Sequence, residues 1–372
     1  MKKTLKLAAL SVLSLLSLVG CNKTNTNSGK LKIAMLTDAG SITDGSYNQT
    51  TWEAIQAYKA DYGDKVEDTK YFQPSKAETS GYEDAINQAA KAGYNTIICP
   101  GFYFAEAFEN VADTYPDINF IGLDFDTATQ HDNVCTISYK ENESGVLAGY
   151  AAVIDGYRNL AFFGGMSQPA PVRYGLGYIF GAYYAAHELN LTDFSINPEY
   201  VAYAGQYLAD PKFTTLATGW YTKGVDIVFT AAGGAGDSVI AASDASKNQM
   251  IIGVDTDESN KKDSVITSAT KGLKQAIYRE CNNILDGKFE KGHMDLGIKE
   301  DCCDVVLGST SRFKNSETVT KTQAFIQKLK NGTVTVPSFS TEDTTLNDFK
   351  TEMTKLGFTA SDALVNAIKG SK

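Results

Sequence analysis

Thr37–Trp52, TDAGSITDGSYNQTTW, decides how the rest of the chain is read. A short apolar run, Leu31–Leu36 (LKIAML), precedes it and reads as a buried strand. Trp52–Lys59 (WEAIQAYK) follows, with Trp52, Ile55, Ala57 and Tyr58 at roughly helical spacing. The stretch is therefore a strand-to-helix loop. It carries two acids (Asp38, Asp44), two glycines, an aromatic (Tyr47) and an amide (Asn48). Such loops lie at the carboxyl ends of strands, where open α/β sheets bind ligands.

The same alternation continues outward. Strands are expected at 66–72, 96–100, 119–123 and 133–138, with helices at 47–61, 79–92 and 105–115 between them. After a helix of small residues at 142–154 the pattern restarts. Strands at 159–163, 199–203, 226–230 and 250–254 alternate with helices at 171–189, 211–223 and 237–247. Two doubly wound parallel sheets are the expected architecture. Further helices are expected at 318–329 and 362–369, the second capped by Ser361, with a last strand at 304–307.

Residues 1–20 read as a secretory signal: Lys2, Lys3 and Lys6 precede an apolar run, Leu7–Val19, too short to span a bilayer. It ends Leu18-Val19-Gly20-Cys21, the order of a bacterial lipobox, so Cys21 is the expected lipidation site. Two or more acyl chains anchor a protein stably without a transmembrane helix. Residues 21–30 read as a polar, flexible tether. The expected location is the extracytoplasmic face of the cell membrane.

The formal charge is −10, and it becomes −13 without the first twenty residues, which hold three lysines and no acid. That balance, with no basic stripe, argues against a nucleic-acid partner. Beyond Cys21 the cysteines are Cys99, Cys135, Cys281, Cys302 and Cys303, an odd number in a long chain and not a disulfide scaffold. The three histidines are far apart in sequence, and neither a metal nor a cofactor is expected. Gly233-Gly234-Ala235-Gly236 lacks dinucleotide-fingerprint spacing, and Asp255-Thr256-Asp257-Glu258 lacks the rest of a calcium loop. No nucleophile elbow, HExxH or P-loop is present, so no catalytic set is assigned.

The strand-end loops share a character. They read Gly101-Phe102-Tyr103-Phe104, Asp124-Phe125-Asp126, Gly164-Gly165-Met166, Ala204-Gly205-Gln206-Tyr207, Ala232–Gly236 and Asp255-Thr256-Asp257. Each alone is ordinary turn or cap chemistry. Together they offer close backbone approach, flat ring faces and hydrogen-bond acceptors.

On TDAGSITDGSYNQTTWEAI, TIICPGF, ISYKENESGVLAGYAAV, GYRNLAFFGGM, PVRYGLGYIFGAYYAAHEL, DIVFTAAGGAGDSVIAA, IIGVDTDESN and VITSATKGL, the chain resembles the basic membrane protein family. These are lipid-anchored substrate-binding proteins of ABC importers. The resemblance covers nearly all of 31–290. It implies a type I periplasmic-binding-protein fold, two lobes joined by a three-segment hinge. It also implies a non-enzymatic, monomeric receptor that delivers a purine nucleoside to a permease.

Lobes of 31–138 plus 256–300 and 139–255 plus 301–372 are expected, with crossings near 138–141, 255–260 and 296–304. By the same resemblance Tyr47, where the family usually has Phe, and Tyr207 stack on the purine. Asp38 and Asn48 hydrogen-bond the base, and Asp255 and Lys271 lie near the ribose. Asp124, Met166, Arg173 and Gly233 line the cleft, Arg173 being equally suited to a structural ion pair. A sugar or small-ligand sensor of the same fold, and a nucleoside hydrolase, are the alternatives.

Overall fold

The computed structural model describes residues 29–338 and 344–370, without the side chains of 344–347. The signal, Cys21 and most of the tether lie outside the described residues. The strands are β1 Leu31–Leu36, β2 Val66–Phe72, β3 Thr96–Pro100, β4 Asn119–Leu123, β5 Val134–Tyr139 and β6 Leu160–Gly164, then β7 Val201–Tyr203, β8 Ile227–Ala231, β9 Met250–Asp255, β10 Val265–Lys271, β11 Gly292–Leu296 and β12 Cys303–Val305. The helices are α1 Tyr47–Asp61, α2 Thr79–Lys91, α3 Ala105–Val111, α4 Glu141–Ile154, α5 Pro169–Glu188 and α6 Pro211–Thr222, then α7 Gly234–Ala242, α8 Leu273–Leu285, α9 Thr318–Lys330, α10 Thr344–Lys355 and α11 Asp362–Lys369.

Two six-stranded sheets result, ordered β11-β5-β4-β3-β1-β2 and β12-β10-β9-β8-β6-β7. The first is wholly parallel; in the second only β12 runs antiparallel, against β10. Helices cover both faces, so β3, β4, β6 and β8 are buried along their whole length. The strand order reverses beside β1 in the first sheet and beside β6 in the second. Those switch points are where crevices open at strand carboxyl ends. This is the type I periplasmic-binding-like architecture.

The crossing expected at 255–260 is displaced. β10 pairs in parallel with β9 and stays in the second sheet. The connection between them is tied to that sheet as well. Glu258 Oε2 accepts from the Val254 amide at 3.1 Å, and the Glu258 amide donates to Ser268 Oγ at 3.0 Å. The chain returns to the first lobe at 271–273, where α8 packs on α1 and the Tyr58 hydroxyl donates to Asn282 Oδ1 at 2.9 Å. Residues 256–271, expected in the first lobe, therefore belong with the second sheet.

α4 and α5 lie backbone against backbone. A Cβ at Gly149 would sit 1.9 Å from the Tyr178 carbonyl, and one at Gly181 would sit 2.0 Å from that of Val146. Gly145 and Gly177 are equally tight, at 2.4 and 2.2 Å. Small residues at i and i+4 on both helices thus fix their approach, and with it the side chains at their amino ends. The five cysteines from Cys99 onward are free and buried.

Candidate functional site

The Thr37–Trp52 loop folds around its own acids. Ser46 stands at the amino end of α1 but gives no side-chain cap. Asp44 does that work. Its carboxylate accepts from the amides of Ser46 (2.9 Å), Asn48 (3.2 Å) and Gln49 (3.1 Å). Asn48, buried, donates through Nδ2 to Asp38 Oδ1 and Asp44 Oδ2, both at 2.8 Å, and accepts from the Asp38 amide at 3.1 Å. Both amide protons are spent inside the loop, so Asn48 has none for a ligand. It holds Asp38 in place. Asp38 Oδ1 also accepts from the Gly40 amide at 2.8 Å, whereas Oδ2 lies against Gly101, at the end of neighbouring β3. Gly101 has φ 110°, and a Cβ there would press to 3.0 Å of that oxygen. Burial, the largest influence, raises the Asp38 carboxyl above its usual range.

A second group forms where the chain crosses between lobes. Lys271 ends β10 and is buried. Its ammonium lies 2.5 Å from Asp124 Oδ2, 3.3 Å from Glu141 Oε1 and 3.6 Å from Asp255 Oδ1. Asp124 follows β4 of the first sheet, Asp255 ends β9 of the second, and Glu141 opens α4. Asp124 and Asp255 are both left-handed, with φ 68° and 63°. Non-glycine residues pay for that conformation, and such strain gathers at functional sites. Arg173 Nε pairs with Glu141 Oε2 at 2.6 Å. With all five groups ionised the cluster carries a formal charge of −1.

Burial opposes the charges of Lys271, Glu141 and Asp124, and its balance against the neighbours sets which way each moves. Burial lowers the Lys271 ammonium, but Asp124, Asp255 and Glu141 outweigh it and the net shift is upward. Burial raises Glu141, but Lys271 and Arg173 prevail and hold it below its usual range. Asp124 goes the other way: burial, with Glu141 and Asp255 adding to it, outweighs Lys271, and its pKa rises.

Three tyrosine rings surround the ammonium, Tyr47 and Tyr139 at 5.6 Å and Tyr174 at 5.7 Å from ring centre to Nζ. The Tyr174 hydroxyl donates to Asp255 Oδ1 at 3.1 Å. The hydroxyls of Tyr47 and Tyr139, with Asp124 Oδ1 and Glu141 Oε1, are buried without a hydrogen-bond partner. Burial first, then Asp124, pushes the Tyr47 hydroxyl well above its usual pKa. Asp124 is the charged group that adds most to that shift.

The second lobe supplies another wall. Tyr207 lies over two glycines: a Cβ at Gly165 would be 2.4 Å from its ring, and one at Gly233 would be 3.5 Å away. Its hydroxyl donates to Gln168 Oε1 at 3.0 Å, and burial raises it to about 12. Met166 is half-buried beside it.

The structure thus gathers Tyr47, Asp124, Asp255 and Lys271 at one centre. Arg173 joins through Glu141, and Met166, Tyr207 and Gly233 share one wall. Glu141, Tyr139 and Tyr174 belong to the centre but were not among the expected residues. Glu141 had a signal: it is an acid just past a strand, in Ser138-Tyr139-Lys140-Glu141. Among the described residues no group of three His, Cys, Asp or Glu is arranged to hold a metal ion. Two surface cavities of about 620 and 670 Å³ border α6 and α7 and share no residue with this centre.

Residues 31–340 match the family model described as ABC transporter substrate-binding protein PnrA-like, Bmp. The chain belongs to the Bmp family. Among relatives of this Bmp chain, the ABC transporter nucleoside-binding protein BmpA of Lactococcus lactis is 30% identical over 364 residues, covering 91% of this chain and 99% of the relative. Basic membrane protein D of Borreliella burgdorferi is 30% identical over 333 residues, covering 87% and 92%. A solute-binding protein structure from Aeropyrum pernix superposes with a TM-score of 0.67 at 20% identity, over 91% of this chain and 99% of the other. One from Conexibacter woesei gives 0.67 at 22% identity, over 83% and 99%. These structures bear on the fold. The family match makes this Bmp chain a substrate-binding protein of an ABC transporter.

Proposed function

We propose that this protein is a lipid-anchored, extracytoplasmic, monomeric receptor that closes on a purine nucleoside and hands it unchanged to an ABC permease. Lys271 carries the reading. It is a buried ammonium at an interlobe crossing, facing Asp124 from the first sheet and Asp255 from the second. A vicinal diol has two donors and two acceptors. Carboxylate and ammonium side by side accept from and donate to that pair. Tyr47, above the ammonium, offers a ring face to the base, Asp38 Oδ2 accepts from the base edge, and Tyr207 closes the opposite side. Three connections between the sheets form a hinge that permits closure. The name of the Lactococcus lactis relative supports a nucleoside as ligand. The Leu18–Cys21 order supports the anchor.

Calorimetry against purine and pyrimidine nucleosides, free bases and sugars tests the reading, with chromatography of the nucleoside afterwards. Binding of inosine or guanosine with the nucleoside recovered intact is expected. At a hundred times its Kd, ligand should stabilise the fold by about 2.7 kcal/mol. Binding confined to free sugars would replace the reading with the sugar sensor, and release of free base would replace it with a hydrolase. Replacing Cys21 with Ser should abolish incorporation of labelled fatty acid; undiminished labelling would refute the anchor.

A further inference from the structure

The wall that carries Tyr207 is held from behind by the last described helix. The Ser167 hydroxyl donates to the Lys369 carbonyl, and the Tyr203 hydroxyl donates to the Ile368 carbonyl. Both carbonyls lie in the last turn of α11, where no intrahelical donor is available. Gly370 ends the helix at φ 70°, and a Cβ there would meet Ser167 Oγ at 2.5 Å. Leu364, Val365 and Ile368 bury the apolar face of α11, which packs on β7 and α5.

Ser167 stands between Met166 and Gln168, and Gln168 receives the Tyr207 hydroxyl. Tyr203 in turn fills the space over Gly164, where a Cβ would be 2.3 Å from its ring. One chain of contacts therefore runs from α11 through Ser167 and Tyr203 to the Gly164–Gln168 loop, and on to Tyr207. α10 and the segment after it continue the brace over α5: Phe349 and Met353 are buried, and the Phe358 ring lies 4.9 Å from that of Tyr183. All of α10 and α11 lies beyond residue 340, the limit of the family match.

We propose that α11 is a positioning element of the ligand site, capped by the Met166–Gln168 loop and setting where that loop holds Tyr207. Its effect on affinity rests on the nucleoside reading; its effect on the loop does not. Ser167 and Tyr203 are positioning residues, acting on a ligand only through Met166, Gln168 and Tyr207.

Two variants test this: a chain truncated after Thr359, and the full chain with Ser167→Ala and Tyr203→Phe, which keeps α11 packed. Amide hydrogen exchange at Met166–Gln168 needs no ligand and should speed up in both variants, with β1–β5 unchanged. Inosine Kd should rise about tenfold, a modest coupling between the loop and the ligand site. In a Tyr207→Ala background the double substitution should add little, because the element it disturbs has lost its target. Unchanged exchange at the loop, or the full tenfold loss persisting without Tyr207, overturns the proposal. If wild type binds no nucleoside while exchange at the loop still rises, the nucleoside reading fails and the brace stands. If the truncated chain does not fold, the double substitution alone decides.

Discussion

Asp38 and Lys271 stand at or just past strand ends in opposite sheets, each among polar partners, but their surroundings are built differently. The Asp38 corner is local. Asp38, Asp44 and Asn48 lie within one loop and the first turn of α1, and are satisfied by backbone amides and one another. The Lys271 centre draws on distant segments; the Lys271–Asp124 contact alone spans 147 positions. It is held by charge, and it leaves four oxygens without hydrogen bonds. Neutral partners can complete a corner that is rigid before any ligand arrives. A charged centre shared between lobes depends on how the lobes meet.

The two regions should therefore break differently. Replacing Lys271 with Met leaves buried carboxylates unpaired. Urea unfolding should show a loss of about 3–5 kcal/mol, with nucleoside binding abolished. A loss under 1 kcal/mol would mean that the centre is wetter than its burial indicates.

In the corner, Asn48→Ala removes two donors to carboxylates and should cost about 1–3 kcal/mol of stability. Because Asn48 has no proton left for a ligand, affinity should fall only as far as Asp38 moves. An Asn48→Asp variant with unaltered affinity would instead show that Asp38 does not depend on it. Tyr47→Ala should weaken purine binding by about 1–3 kcal/mol, the range for one lost stacking contact with a base.

Tyr47→Phe should be the mildest change, within about 1 kcal/mol in stability, since the hydroxyl it removes has no hydrogen bond. A loss near 3 kcal/mol would mean that Tyr47 and Asp124 are directly bonded. The carboxyl groups give the finest test, by carbon NMR titration. Glu141 should titrate below its usual 4.5 and Asp124 above its usual 3.8. By linkage, the stability Glu141 contributes is full above 4.5 and fades as pH falls through its folded value. That of Asp124 is full below 3.8 and is lost as pH rises through its folded value. Displacement of either in the opposite direction would contradict the charge balance drawn here.

What the sequence disclosed follows the same divide. Strand–helix alternation is a local signal, and 66–72, 96–100, 119–123 and 362–369 emerge at those bounds. The Asp38 corner was legible because its residues are neighbours in sequence. The second crossing was not, because β10 (Val265–Lys271) mixes polar and apolar residues and its sheet is set by pairing with β9. Glu141 showed only as an acid just past a strand, opening a helix whose apolar residues look like core. What draws it into the centre is Arg173 and Lys271, brought to it by the glycine contact of α4 with α5 and by the strand order. Asn48 shows the opposite limit: its residue type suits a ligand, but the structure engages both of its amide protons with Asp38 and Asp44.

That the Lys271 centre reads a ribose diol can be checked by comparing inosine with 2′,3′-dideoxyinosine in one calorimetric titration. The two share the base and differ only in the hydroxyls assigned to Asp255 and Lys271. Losing two hydrogen bonds to charged groups, at about 1.5–3 kcal/mol each, predicts an affinity at least about a hundredfold weaker for the dideoxy compound. Equal affinity for the two would mean that the Lys271 centre does not hold the diol.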